Sequence, residues 1–396
     1  MFLKASLAHV LAFFTALGLI VLLLFVIKTQ SREIAETHII HGNQNRTRGL
    51  FPNLTDGEET ELQYVASIQN KDGVTLFGSS EFSVSPYSSY FFLPDTLGIP
   101  ALGIGHAYHQ CFSIMCELLA VYDDLEGANI CIILSPSWFH TAGTNTEAFA
   151  EFVRPNFLAQ IANNENIPGK YKLAIGRYIA LHAEEFTALS KNMEFFVDEY
   201  KFFKGSKLAG RLRSFMKGIH PSVFEVERVE YQVDSLITLD TKTWNVDKES
   251  YLEKLQQTFL SSITTNKIYV YDDYYQQYIL SPEGIPRKDS INPLVFENNA
   301  EFEDFKLLVD LLAARKANCS FVFQPVNTYH YKYAENNQPL VDSITTILGK
   351  YQMPLLNMYA SDTASYKPGS LRDVMHLGDY GWMEINFFLD SIYHER

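Results

Sequence analysis

Thr75-Leu76-Phe77-Gly78-Ser79-Ser80-Glu81-Phe82-Ser83 joins an apolar run, begun at Val74, to a cluster of small residues. The run reads as a buried strand that ends at Gly78, and Gly-Ser-Ser reads as a turn that exposes a hydroxyl at the sheet's carboxyl edge. It is not the G-x-S-x-G elbow of α/β-hydrolases, because Phe82 stands where the second glycine would be.

Similar runs recur along the chain. Ala101-Leu102-Gly103-Ile104 stops at Gly105, Ile130-Cys131-Ile132-Ile133-Leu134 at Ser135-Pro136, and Ser320-Phe321-Val322-Phe323 at Gln324-Pro325. Pro354-Leu355-Leu356-Asn357-Met358 closes the series. Continuous apolar runs suit strands covered on both faces, which a parallel sheet requires. Between them, Phe112, Met115, Leu119 and Tyr122 recur at helical spacing, as do Phe302, Phe305, Val309 and Leu312, and Val341, Ile344, Leu348 and Tyr351. Strand alternating with helix predicts an α/β fold, a three-layer αβα doubly wound parallel sheet, with chemistry at the loops beyond the strands' carboxyl ends.

The stretch between the third and fourth runs far exceeds one crossover helix and predicts a helical insertion at about 145–290, with helices over Ala148–Ala162, Ala183–Phe203 and Lys248–Ser262. Within it, Lys201, Lys204, Lys207, Arg211, Arg213 and Lys217 form a basic segment without an acid, interleaved with Phe and Leu. It reads either as a solvated helix face or as a surface for phospholipid headgroups or a polyanion, centred on Lys204, Lys207 and Arg211.

At the N-terminus, Ala5 to Ile27 carries no Asp, Glu, Lys or Arg and is long enough to cross a bilayer. Residues 1–30 therefore read as an uncleaved transmembrane anchor, 31–65 as a linker and 66–396 as the soluble domain. Lys4 on one side and Lys28 and Arg32 on the other leave the orientation undecided by charge. Across the 396 residues, 32 Lys+Arg against 46 Asp+Glu give a net charge of −14, which argues against nucleic acid as a partner. Cys111, Cys116, Cys131 and Cys319 are too few for a disulfide scaffold and read as buried thiols. The histidines at 140, 182, 220 and 394 have no neighbours suggesting a metal, and no cofactor is implied.

Near the C-terminus stands Arg372-Asp373-Val374-Met375-His376-Leu377-Gly378-Asp379-Tyr380-Gly381-Trp382. Asp and His three apart lie side by side on a helical turn or tight loop, so the carboxylate can hold one imidazole tautomer while the other ring nitrogen serves a nucleophile. A serine needs such a base. The Gly-Ser-Ser turn resembles the Gly-Asp-Ser block of the SGNH (GDSL) hydrolases, with Ser79 in the Asp place and Ser80 as nucleophile. Those enzymes carry Asp-x-x-His at the position of Asp373 and His376. Gly-Ser-Ser-Glu, Ser135-Pro136-Ser137-Trp138-Phe139 and D-x-M-H-L-G-x-x-G-W together resemble the DltD family of D-alanyl-lipoteichoic acid biosynthesis, over essentially the whole chain. Two features depart from these patterns: Asp379-Tyr380 fills a place expected to be aromatic and basic, and Ser-Pro-Ser-Trp-Phe replaces the Gly-x-Asn-Asp block.

The resemblance implies a single-pass cell-membrane protein with its soluble domain outside the cytoplasm, a serine acyltransferase or esterase in the D-alanylation of teichoic acid. It implies as partners a membrane-bound O-acyltransferase of the same operon, a D-alanyl carrier protein and the polymer itself. Ser80, His376 and Asp373 would be catalytic, with the backbone at Ser80 and Gly105 and the hydroxyl of Ser137 as oxyanion donors. Glu81 would receive the ammonium of a D-alanyl group or act as a helix N-terminal acid. Gln324 and Asn327, with Tyr329, His330 and Tyr331, would line an acceptor groove, and His106, His109 and Gln110 would either border the pocket or start a helix. Two other readings stand beside this one: a thioesterase that strips wrongly charged D-alanyl carrier protein, and a scaffold with a vestigial triad.

Overall fold

The computed structural model describes residues 18, 48–51, 58–82, 85–105, 107–140, 143–153, 155–182, 184–185, 246–280 and 290–393. The anchor over residues 5–27, most of the expected helix Ala183–Phe203 and the basic segment with Lys204, Lys207 and Arg211 lie outside the described residues.

Six parallel strands form one sheet: β1 (Arg48–Phe51), β2 (Val74–Gly78), β3 (Ala101–Gly105), β4 (Asn129–Leu134), β5 (Asn318–Phe323) and β6 (Leu355–Asn357), in the order β1-β3-β2-β4-β5-β6. Alternate side chains of each strand feed opposite cores. Phe77, Ile104, Ile130, Ile132, Phe321 and Phe323 join one, while Leu76, Ala101, Cys131, Ile133 and Val322 join the other. This two-sided burial is why the four runs from β2 to β5 are continuously apolar.

The first core is roofed by α1 (Glu58–Gln69), α3 (Cys111–Ala120), α5 (Pro155–Asn163), α6 (Gly169–Leu181), α8 (Ala300–Ala314) and α9 (Gln338–Lys350). The second is roofed by α2 (Ser89–Phe92), α7 (Lys248–Ser262) and α10 (Asp379–Tyr393). Helices on both faces make the fold α/β in three layers, consistent with the SGNH-like architecture.

The helix expected over Ala148–Ala162 is two helices, α4 (Thr146–Phe152) and α5, with Pro155 at the start of the second. A proline disfavours helix in the residue before it yet suits a helix's first turn. Asn145, Asp247 and Asn299 accept from Ala148 N, Ser250 N and Phe302 N, and so cap α4, α7 and α8. Within the stretch read as a linker, Arg48–Phe51 pairs with β3 as an edge strand.

The chain runs from β2 to β3 on one side, then crosses to β4 on the other side of β2. Beyond the carboxyl ends of β2 and β4 lies the topological switch point where ligands bind in open α/β sheets. At this edge β3 comes close to β2: a Cβ on Gly105 would stand 2.4 Å from the Gly78 carbonyl oxygen. Gly105→Ala is expected to lower stability by about 1–3 kcal/mol, as overpacking does. The control is Gly349→Ala on α9, where nothing lies within 4 Å of the added Cβ and a gain of about 0.5–1 kcal/mol is expected. Urea unfolding of both variants checks the opposite signs.

Candidate active site

After Gly78 the chain leaves the sheet in a turn closed by Phe82 N donating to Ser79 O at 3.2 Å. The Phe82 ring folds back over the strand end, so a Cβ on Gly78 would meet it at 2.8 Å. That ring lies 5.8 Å from Trp382 and 5.7 Å from Tyr90, which seats the turn against α10 and α2. Ser85 Oγ adds a 2.8 Å bond to Asp379 Oδ1 at the start of α10. Within this turn Ser79 is buried at 3% exposure, whereas Ser80 is half-buried. Of the two serines, Ser80 is the one with appreciable solvent exposure.

Asp373 and His376 stand on a tight loop rather than a helical turn. Leu371 bridges Leu377, Arg372 N donates to His376 O at 2.9 Å, and Gly378 N donates to Ser370 O at 2.9 Å. The two glycines of the motif are steric requirements. A Cβ on Gly378 would be 2.4 Å from Gly369 O, and one on Gly381 would be 2.3 Å from Ser370 O. Asp373 Oδ1 accepts from the backbone N–H groups of Met375 and His376, both at 2.8 Å. Its Oδ2 accepts from His376 Nδ1 at 2.7 Å. Burial pushes the Asp373 carboxyl up, but its bonds to the His376 ring and to these two N–H groups outweigh burial and hold it below its ordinary value. With Nδ1 committed to the carboxylate, Nε2 is the ring nitrogen that faces elsewhere, and the imidazole is only partly covered.

Glu81 connects the two segments. It is buried at 2% exposure, the backbone N–H groups of Ser79 and Glu81 favour its ionised form, and Oε1 has no hydrogen-bond partner among the described residues. Burial raises its pKa to about 7 against the pull of those N–H groups and of His376 and His109. The side chain therefore tucks beneath its own turn, and no helix begins there for it to cap.

Beyond β4 and β5, Gln324 Nε2 donates to Ser135 Oγ at 2.6 Å, and Ser135 Oγ lies 2.9 Å from Ser137 Oγ. Ser137 is the exposed end of this chain, and Gln324 is its buried anchor with Oε1 unpartnered. Asn327 is fully buried and structural in its bonds: its amide donates to Ile268 O at 2.8 Å and its Oδ1 accepts from Tyr329 N and His330 N. Gly105 ends β3 directly beside Gly78. Ser80, Gly105, Ser137, Gln324, Asp373 and His376 thus all lie at the carboxyl ends of the strands or in the loops beyond them.

The other polar residues after β3 divide differently from the pocket-border expectation. Gln110 Nε2 and Cys111 N both donate to Glu301, at 3.1 and 3.0 Å, which starts α3. His109 is fully buried and reaches Gly78 O and Glu117. His106 lies outside the described residues. Glu117 and Glu301 were not singled out in the sequence; the signal was a lone acid in the largely apolar Cys111–Ala120 run and another in the first turn of α8. Cys111, Cys116, Cys131 and Cys319 are buried free thiols, and burial raises Cys131 to about 12.

A carboxyl raised from 4.5 to about 7 has a definite effect on stability. Between these values the unfolded chain has lost the proton while the folded chain keeps it, so stability falls as pH rises through this window and levels off above 7. The full effect is about 3 kcal/mol. Glu81→Gln is expected to flatten the unfolding free energy between pH 4.5 and 7.5 by that order, read by urea titrations across the window. Parallel curves for the two proteins would show that Glu81 is not desolvated.

The family model described as DltD protein matches residues 55–394. Protein DltD of Staphylococcus aureus is 23% identical over 277 residues, covering 67% of this chain and 66% of that protein, just under two thirds of its length. Protein DltD of Bacillus subtilis is 22% identical over 332 residues, covering 80% of this chain and 81% of that protein. With the match running from before α1 to the end of α10, the chain belongs to the DltD protein family.

Proposed function

We propose that this protein is a membrane-anchored SGNH-type serine acyltransferase or esterase in the D-alanylation of teichoic acid, acting through Ser80, His376 and Asp373. The observation that carries the reading is the 2.7 Å Asp373–His376 pair, held on the loop that leads into α10, the helix whose Asp379 and Trp382 contact Ser85 and Phe82 just after the half-buried Ser80. Membership of the DltD family supports the pathway.

In this mechanism Ser80 Oγ attacks the carbonyl carbon of a D-alanyl ester or thioester while His376 Nε2 takes its proton. Asp373, ionised and doubly bonded to backbone, keeps the proton on Nδ1 and stabilises the imidazolium. The tetrahedral oxyanion is received by backbone N–H groups at Ser80 and Gly105, with Ser137 Oγ as a side-chain donor. Collapse expels the alcohol or thiol, which takes the proton from His376 and leaves a D-alanyl ester on Ser80. A polyol hydroxyl of the polymer then attacks, deprotonated by His376, and restores the serine. Gln324 would support the acceptor side through Ser135 and Ser137, and Asn327 by holding the loop after β5.

The segment over residues 5–27 would hold the domain at the outer face of the cell membrane, within reach of a membrane-bound O-acyltransferase that delivers the D-alanyl group. Lys204, Lys207 and Arg211 would meet the anionic polymer or headgroups, each cation contributing about 1 kcal/mol near such a surface.

Ser80→Ala is expected to abolish acyl transfer, a loss of at least about a thousandfold, with thermal unfolding unchanged. Ser79→Ala should retain transfer, because that hydroxyl is buried; the reverse pattern would move the nucleophile by one residue. A Ser80→Ala chain that still supports alanylation in cells would make the protein a scaffold.

Combined charge reversal at Lys204, Lys207 and Arg211 should weaken polymer alanylation and spare hydrolysis of a small ester, with a deficit that shrinks as salt rises. Equal loss on both substrates would instead place the damage in the fold or the triad.

A further inference from the structure

Beneath the nucleophile turn lies a pair of ionisable side chains that the proposed mechanism does not use. His109 and Glu117 are each fully buried, the imidazole Nε2 lying 3.1 Å from both Glu117 oxygens. The other ring nitrogen, Nδ1, lies 2.9 Å from the carbonyl oxygen of Gly78. A carbonyl oxygen only accepts, so Nδ1 carries a proton, and a carboxylate on the opposite side draws a second proton to Nε2. Burial lowers the His109 pKa, but the Glu117 charge, the bond to it and the Gly78 carbonyl together raise it above the ordinary value.

The bond to Gly78 falls where the chain leaves the sheet. Gly78↔Gly105 is the last pair of the β2–β3 ladder, and the next peptide group leads into Ser79 and Ser80. That peptide is planar, so its carbonyl and the N–H of Ser79 turn together. His109 holds the carbonyl, and the Glu81 side chain, buried beneath the same turn, is stabilised by the Ser79 N–H. A cation on the oxygen end and a carboxylate on the N–H end match the peptide dipole, and one residue later comes Ser80. The imidazole itself cannot swing, because the Phe152 ring packs 4.9 Å from it and the Phe77 ring 6.3 Å. The groups facing it are Glu117 from α3, Gly78 O from β2, Glu81 from the turn and the Phe152 ring from α4; Tyr64 of α1 faces Glu117.

An ion pair in this position is not a default core filling. Its two charges are taken out of water at a cost of several kcal/mol each, and apolar residues of similar volume usually serve stability as well or better. The rest of α3 from Cys111 to Leu119 is buried and, apart from Ser113, apolar. We propose that His109 and Glu117 are positioning residues for the nucleophile: a buried imidazolium–carboxylate pair that fixes the Gly78–Ser79 peptide and thereby aims Ser80 Oγ at His376. The proposal rests on the serine-acyltransferase reading above.

The test uses the full chain in detergent, with p-nitrophenyl acetate as substrate and a fluorophosphonate as label for Ser80. The double variant His109→Leu/Glu117→Leu removes the pair without stranding a charge. It is expected to fold, to keep KM, and to lose about a hundredfold in kcat and in labelling rate, as a misaimed nucleophile does. Glu117→Gln removes the charge that holds the proton on Nε2, so its kcat relative to wild type should rise as pH falls and His109 is protonated again. A folded double variant with wild-type kcat, or a Glu117→Gln ratio flat with pH, would return the pair to the core. Nitrogen-15 NMR of histidine-labelled wild type gives a readout independent of activity and of variant folding. Two protonated ring nitrogens are expected for His109 at neutral pH, and a single one would overturn the proposal. A wild-type chain inert to both reagents would instead sink the serine reading, with the charge state of His109 still measurable.

Discussion

The peptide between Gly78 and Ser79 is the point on which the carboxyl edge of the sheet, and the candidate site there, depends. Its Gly78 end is crowded from three sides. Gly105 must lack a Cβ to pass beside the carbonyl oxygen, His109 donates to it, and the Phe82 ring closes over the Gly78 Cα. Each neighbour explains a residue that pattern alone leaves arbitrary: two glycines, a buried histidine and an aromatic two positions after the serine. The same crowding separates two adjacent serines, because a turn this tightly held can present only one hydroxyl outward.

The second half of the site is brought in by packing at long range. Residues 370–378 form a loop whose direction is set by Gly378 and Gly381 passing close to backbone oxygens. Trp382, fully buried beneath that loop, meets Phe82 and Tyr90. Nearly three hundred residues separate the aromatic partners in sequence, so the geometry between Ser80 and His376 is set by the second core and not by either local motif. Losing a ring in this cluster would therefore disturb the site without touching a polar atom in it.

The central strands and the Asp373–His376 pair were legible in the sequence, for definite physical reasons. Strands β2 to β5 are buried on both faces, which forces uninterrupted apolar runs, and a carboxylate three residues from a histidine can meet it within one turn or tight loop. The edge strand β1 was not legible, because Arg48-Gly49-Leu50-Phe51 carries no such run. Nor was the break between α4 and α5 read from the apolar spacing, although Pro155 marks it. Ser79 and Ser80 could be ranked only by resemblance, since burial is a tertiary property. Glu81 shows the limit most clearly. Its neighbours in sequence suggest a helix start or a substrate contact, whereas its direction is decided by Ser79 N–H and His109 beneath the turn.

Buried acids also set the pH range in which this architecture is firmest. Burial raises Glu81 and Glu301 to about 7, and burial with the neighbouring Glu301 and Glu303 charges raises Asp304 to about 8. For such groups the folded chain keeps protons that the unfolded chain has released, so stability declines as pH rises through the range from their ordinary values to 7 or 8. Asp373 runs the other way: its contribution is complete above its ordinary value and disappears only as pH falls through its lowered folded value. The two windows barely overlap. Mildly acidic conditions therefore favour the fold without protonating Asp373, whereas more alkaline conditions lie where the buried acids cost the fold most. Of these buried acids Glu81 ties the balance most directly to the candidate site, because it stands one residue from Ser80 and beneath the same turn.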